Sequence, residues 1–132
     1  MACLTHGIHH IALKAKGEDA FRKTVDFYHG LLGMPIVRRW GEGDMSGIMI
    51  DTGAGILEIM ANAPDIRPTG ALRHIALAVD SVDDCIELVR GAGYEVTIEP
   101  KDITFASEPP YHARIGFCIG PVGEEVEFFA ER

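Results

Sequence analysis

His10-Ile11-Ala12-Leu13 recurs letter for letter as His74-Ile75-Ala76-Leu77. Each copy is followed downstream by a glutamate between apolar neighbours, Leu57-Glu58-Ile59 after the first and Val126-Glu127-Phe128 after the second. A repeat of this kind predicts an internally duplicated fold, with equivalent points in its two halves. One histidine and one glutamate per copy are also the ingredients of a divalent-metal site.

Strand alternation sorts these residues by face. Ile8, His10, Ala12 and Lys14 fall on one side of a strand, and His9, Ile11 and Leu13 on the other. In the second copy His74, Ala76 and Ala78 oppose Ile75, Leu77 and Val79. The bulky aliphatics are expected beneath helices, whereas the alanines beside the histidines leave room for something other than protein. Glu58 and Glu127 likewise oppose their aliphatic neighbours. His10 is therefore the ligand candidate and His9 the spare.

The rest of the chain repeats the same order of elements. Phe21, Val25, Tyr28, Leu31 and Leu32 recur at helical spacing over 18–32, with Gly33 as the C-terminal cap. Strands are predicted near 34–40, 46–51 and 55–61, separated by glycine-bearing turns. Residues 62–70, with Pro64 and Pro68, read as a linker. A strand over 73–79 restarts the pattern, and Ser81 with Asp84 resembles a capping box. Val82, Cys85, Ile86, Leu88 and Val89 form a helical stripe ending at Gly91 or Gly93. Strands near 94–98, 113–119 and 124–129 follow, with 100–112 expected as one long irregular loop. Each half is thus βαβββ. The expectation is an α+β protein of one domain, residues 1–132, with modules at 1–66 and 71–132.

Composition excludes several functions. At 132 residues and 47% hydrophobic, the chain has material for a core. It contains no apolar run of about 18 residues, so no membrane partner is expected. A net charge of −8 argues against nucleic acid, whose binding draws on lysine and arginine replacing counterions. Three cysteines, Cys3, Cys85 and Cys118, argue against a disulfide framework. The opening Met1-Ala2-Cys3-Leu4-Thr5-His6 lacks a secretory pattern, and the expected location is the cytoplasm.

A glutamate inside an apolar strand is ordinarily just its outward residue, and one histidine alone is ordinarily structural or solvated. Four such residues in matching order favour a metal. Two imidazoles and two carboxylates suit Zn²⁺, Ni²⁺, Co²⁺, Mn²⁺ or Fe²⁺ and disfavour Ca²⁺. Other residues are less informative. His112 and Arg114 line either the mouth of a site or the surface, and His6 and His29 read as surface residues. Cys85 and Cys118 are expected in the core, and Trp40 and Phe105 either contact a ligand or, as the favoured reading, serve packing.

The chain resembles the vicinal oxygen chelate superfamily along essentially its whole length. The resemblance rests on His10-Ile-Ala-Leu13, Asp26-Phe-Tyr28 with Leu32-Gly-Met34, His74-Ile-Ala-Leu-Ala-Val-Asp80 and Pro121-Val-Gly-Glu-Glu-Val-Glu127. It implies paired modules forming an open, cupped sheet around a metal, commonly completed in a homodimer. Members similar to glyoxalase I hold one divalent ion, with nickel, zinc or cobalt foremost and manganese or iron as options. Their ligands fall at His10, Glu58, His74 and Glu127. Lys14 stands where those members have an arginine that pairs with a glutathione carboxylate, and Asn62 where an asparagine contacts glutathione. The 100–112 segment departs from their basic, glycine-containing loop.

The implied reaction is proton transfer next to a metal-chelated carbonyl, converting a hemithioacetal to a thioester. Glu127 is the favoured base, with Glu58 the alternative at the equivalent position. Epimerase, dioxygenase and purely binding members of the superfamily remain the rival readings.

Overall fold

Both halves of the chain build the same sequence of elements. The computed structural model describes residues 9–65, 74–105 and 111–132, and the chain divides into two units, residues 1–66 and 67–132. Unit one contains β1 (His10–Lys14), α1 (Gly17–Val25), β2 (Ile36–Trp40), β3 (Gly47–Asp51) and β4 (Ile56–Met60). Unit two contains β5 (His74–Ala78), α2 (Val82–Gly91), β6 (Val96–Phe105), β7 (Tyr111–Ile119) and β8 (Glu125–Glu131). Among the described residues no helix is long and apolar enough to cross a membrane.

The strand order is β1-β4-β3-β2 in one sheet and β5-β8-β7-β6 in the other. The first strand of each sheet pairs parallel with the last, and the remaining neighbours are antiparallel. Parallel pairing requires a crossover, and the helix after the first strand begins it. Each sheet is therefore covered by its own helix on one face. On that face Ile48, Ile50, Leu57 and Ile59 are buried in unit one, and Val126, Phe128 and Cys118 in unit two. Period-two alternation then sends Glu58 and Glu127 to the opposite face.

Each helix follows from local chemistry. In α1 the acidic first turn, Glu18 and Asp19, complements the helix dipole, and Arg22 bonds both carboxylates at 3.2 and 2.7 Å. In α2 the Ser81 hydroxyl accepts from the Asp84 amide at 3.1 Å, the N-cap expected from the sequence. Val82, Ile86 and Val89 are its fully buried stripe, whereas Leu88 is exposed and Cys85 only half-buried. The stripe is narrower than the sequence suggested, with only the residues at i, i+4 and i+7 fully buried.

Two other expectations are corrected. The helical segment over 18–32 is not uniform: α1 gives way to a π-helical turn over Asp26–Leu31. There Leu32 donates to the Phe27 carbonyl at 3.0 Å, and Met34 to that of Tyr28 at 3.1 Å. The widened turn lets two consecutive aromatics, Phe27 and Tyr28, both be buried, with ring centroids 4.8 Å apart. Gly33, at φ +79°, closes it as expected.

The expected 100–112 loop is largely strand. β6 continues to Phe105 and β7 starts at Tyr111, leaving only 106–110 outside the described residues. Pro100 misled the sequence reading. It sits in an edge strand where the register shifts between Ile98 and Lys101, so its missing N–H interrupts no central ladder. In the 62–70 linker, Asn62 still bridges Lys16, and 66–70 lie outside the described residues.

Candidate functional site

Each unit brings its own histidine and glutamate together. In unit one Ala12 pairs with Glu58 across the β1–β4 ladder, so His10, two residues back on the same face, stands diagonal to the carboxylate. Its Nε2 lies 3.8 Å from Glu58 Oε1. Unit two repeats the arrangement: Ala76 pairs with Glu127, and His74 Nε2 lies 3.3 Å from Glu127 Oε1. The register that makes the fold thus also makes each pair. Ala12 and Ala76 are exposed, so the space above each pair is not filled by the unit's own side chains.

The two pairs differ in their surroundings. His10 and His74 have equally accessible side chains, 41% each, but the glutamates are shielded, at 16% for Glu58 and 10% for Glu127. Burial raises the Glu127 pKa, opposed in part by His74. A carboxylate kept from water in this way is costly unless a cation comes to it. The His74 ring packs edge-on against Phe117, at 5.4 Å between centroids, and Phe117 is also the β7 residue opposite Glu127.

His9 departs from its expected role. The sequence placed it with the aliphatics of β1, yet it is exposed, and its Nδ1 lies 3.0 Å from His10 Nδ1. Preceding the first strand residue, it escapes the alternation that governs β1. One of the two nitrogens must donate. If it is His10 Nδ1, the His10 Nε2 facing Glu58 keeps its lone pair, the tautomer a metal ligand needs.

The pairs can be tested against an ion's demands. Two donors about 2.1 Å from one first-row divalent ion stand about 3.0–3.4 Å apart in octahedral or tetrahedral geometry. The 3.3 Å of unit two meets this directly, and the 3.8 Å of unit one is within a small side-chain adjustment. Imidazole with carboxylate is also the donor chemistry such ions prefer. Among the described residues no group of three or more His, Cys, Asp or Glu side chains stands together, so each pair by itself offers two donors.

The other expected residues fall as follows. Lys14 is exposed on the same face of β1 as His10, opposite Met60. Asn62 is exposed two residues past β4, in its bridge to Lys16. His29 is exposed and turns Nδ1 to the Met34 carbonyl at 2.8 Å. His112 Nδ1 meets Thr104 Oγ1 at 2.9 Å. Arg114 is held by both carboxylate oxygens of Asp83, at 2.6 and 2.8 Å, and by Asp102 at 3.2 Å. That places it with the start of α2 rather than at the His74–Glu127 face, since Arg114 shares its face of β7 with Gly116 and Cys118 and alternates with Phe117. Cys118 is fully buried in the core. His6 lies outside the described residues, as does the side chain of Phe105.

Arg38 and Trp40 also reach this face. Strand alternation from Ile36 would place both beneath the sheet. A β-bulge intervenes: Ile36 pairs with Ile50, but Arg38 pairs with Met49 and Trp40 with Gly47. The extra residue carries Arg38 and Trp40 to the face of Glu58.

The whole arrangement defines a duplicated βαβββ protein with a histidine–glutamate pair per module. The profile of the glyoxalase/bleomycin resistance protein/dioxygenase superfamily matches residues 7–128, and the chain belongs to that superfamily. No curated protein matches it. Solved structures share the fold. A glyoxalase family protein from Enterococcus faecalis is 24% identical, with TM-score 0.71, covering 96% of this chain and 99% of its own. A glyoxalase/bleomycin resistance protein/dioxygenase from Nocardioides is 22% identical, with TM-score 0.68, covering 98% and 86%. TnmS3, an antibiotic-binding protein from Streptomyces sp. CB03234, is 17% identical, with TM-score 0.74, covering 99% and 100%.

Proposed function

We propose that the chain is a metal-dependent lyase or isomerase of the glyoxalase I type, acting on a hemithioacetal to give a thioester. The observation that carries this is the repeated histidine–glutamate pair, with one carboxylate buried and its proton affinity raised. His10, Glu58, His74 and Glu127 together would hold one divalent ion, nickel, zinc or cobalt before manganese or iron. Two half-sites must meet to complete it, and a homodimer is the expected assembly. The ion would supply polarisation of a chelated carbonyl.

The chain's own residues perform the proton transfer. Glu127 takes a proton from the carbon beside that carbonyl and returns it to the adjacent carbon. In the metal-free protein burial pushes its pKa up, and an ion held beside it would draw the pKa back down and keep the carboxylate charged and able to accept a proton. Glu58, at the equivalent register position, is the alternative base. Phe117 against His74 and His9 against His10 hold the imidazoles in place. Ala12 and Ala76 leave space for the substrate, and Lys14 offers a cation to its acidic groups.

The test is metal analysis of protein purified without chelator, followed by incubation of the loaded protein with the hemithioacetal of methylglyoxal and glutathione. Formation of thioester supports the reading. Full metal occupancy with no thioester from any low-molecular-weight thiol overturns the lyase assignment and leaves epimerase or dioxygenase chemistry. Absence of metal favours a binding protein without turnover, the property named for TnmS3.

A further inference from the structure

We infer that Arg38 and Trp40 form the recognition surface beside the unit-one pair, for a ligand carrying an anionic group and a flat apolar ring. This rests on reading His10 and Glu58 as the working face of unit one. The register supplies the first argument. Across the sheet Glu58 pairs with Met49 and Met49 with Arg38, so the carboxylate and the guanidinium share one row on one face. In the next row Lys14 pairs with Met60, Met60 with Gly47 and Gly47 with Trp40.

The packing of Trp40 on Gly47 agrees with this register. A Cβ built on Gly47 would collide with the indole of Trp40, meeting its Cε2, Cζ2 and Nε1 atoms. The ring therefore lies across Gly47 on the side its absent side chain would occupy, which is the side of Met60 and Glu58. Glycine at 47 is what allows the indole down onto the sheet. Even so, Trp40 remains 40% exposed. A large aromatic laid over a sheet yet open to solvent is a stacking surface.

Arg38 supplies the charge. Arg22, Arg90, Arg114 and Arg132 all have carboxylate partners. Arg38, like Arg39, is exposed and has no ion pair among the described residues, in a chain of net charge −8; the face it lies on sets it apart from Arg39. Its planar fork suits a carboxylate or phosphate, and its neighbour on the same face suits a ring. Two strand spacings, about 10 Å, separate the backbones of Arg38 and Glu58. The ligand is accordingly long enough to place its anionic end well away from the carbons that react. Arg39, opposite Ile48 on the other face, has no such role.

Trp40 is the only tryptophan in the chain, so its fluorescence reports on this surface alone. The probes are 3-phenylpropanoate, its neutral amide and 3-cyclohexylpropanoate. Saturable quenching by the aromatic acid is expected. Binding at least about ten-fold weaker is expected for the amide, which lacks the charge-assisted contact, and little quenching for the cyclohexyl acid. Arg38→Gln should abolish the preference for acid over amide, and Arg39→Gln should keep it. Absence of saturable quenching, equal binding of acid and amide, or an unchanged preference in Arg38→Gln would overturn the inference. Metal uptake by the same samples separates the two readings. Protein that takes up metal without preferring the acid loses only the recognition surface, and protein that prefers the acid without binding metal loses only the metal site.

Discussion

Replacing Gly116 by alanine tests how α2 is seated on the sheet that carries Glu127. A Cβ at Gly116 would stand 2.8 Å from Ile86 Cγ1, 3.0 Å from Ile86 Cδ1 and 3.1 Å from Val82 Cγ1. Carbon atoms in comfortable contact stand about 3.5–4.0 Å apart, so the new methyl would be too close by roughly half an ångström or more. Ile86 and Val82 are fully buried, so making room for the methyl disturbs their packing or the seat of the helix. The φ of Gly116 is not positive, so the penalty is steric alone. Overpacking of this kind costs about 1–3 kcal/mol. Urea unfolding should show that loss in Gly116→Ala. Ile86→Ala alone should cost about 2–5 kcal/mol by leaving a cavity. The double variant should be less destabilised than the sum, by about 1–2 kcal/mol, because the new methyl occupies part of that space. A Gly116→Ala protein within about 0.5 kcal/mol of the wild type, or strict additivity in the double variant, would refute this account of the packing. The site is implicated too, since the next residue, Phe117, faces the other way and steadies His74.

Further outcomes follow from the site and the core. Glu127 has a folded-state pKa above its ordinary value of 4.5, so the folded state holds that proton more tightly than the unfolded one. Stability of the metal-free protein should therefore fall as pH rises from about 4.5 through the folded pKa, and Glu127→Gln should flatten that dependence when unfolding is followed against pH. His74→Ala should lower metal content sharply by elemental analysis, and unchanged stoichiometry would remove His74 from the site. Mixing His10→Ala chains with Glu127→Ala chains should restore part of the metal binding, because a heterodimer with sites shared between chains contains one undamaged set. Cys118, fully buried and with its thiol pushed up to about 12, should react with a thiol reagent only on unfolding. Labelling of native protein at Cys118 by peptide mapping would contradict its place in the core.

Local pattern made much of the molecule readable. The repeated His-Ile-Ala-Leu announced the duplication, and strand alternation separated Glu58 and Glu127 from the aliphatics beneath them. Ser81 signalled the start of α2, and Gly33 the end of the first helical segment. These signals are legible because side-chain periodicity and caps depend on residues only a few positions apart. Where the local rule was broken, the sequence misled. Pro100 looked like a loop residue but occupies an edge strand. Tyr28 fitted an α-helical stripe, yet a π-turn buries Phe27 beside it.

The sequence by itself thus determined the order of elements, the two-module architecture and the identity of the histidine–glutamate pairs. Tertiary structure alone decided which strands became neighbours, and so which residues stand opposite one another. The parallel pairing of β1 with β4 and of β5 with β8 sets each histidine diagonal to its glutamate, although the two are far apart in the chain. The bulge in β2 turned Arg38 and Trp40 from the core side to the face of Glu58. Asp83 and Asp102 claimed Arg114 from two different elements. The physical reason is common to all three. Periodicity assigns a side chain to one of two faces, but register is fixed by the hydrogen bonds and packing of the neighbouring strand, and one extra residue there exchanges the faces.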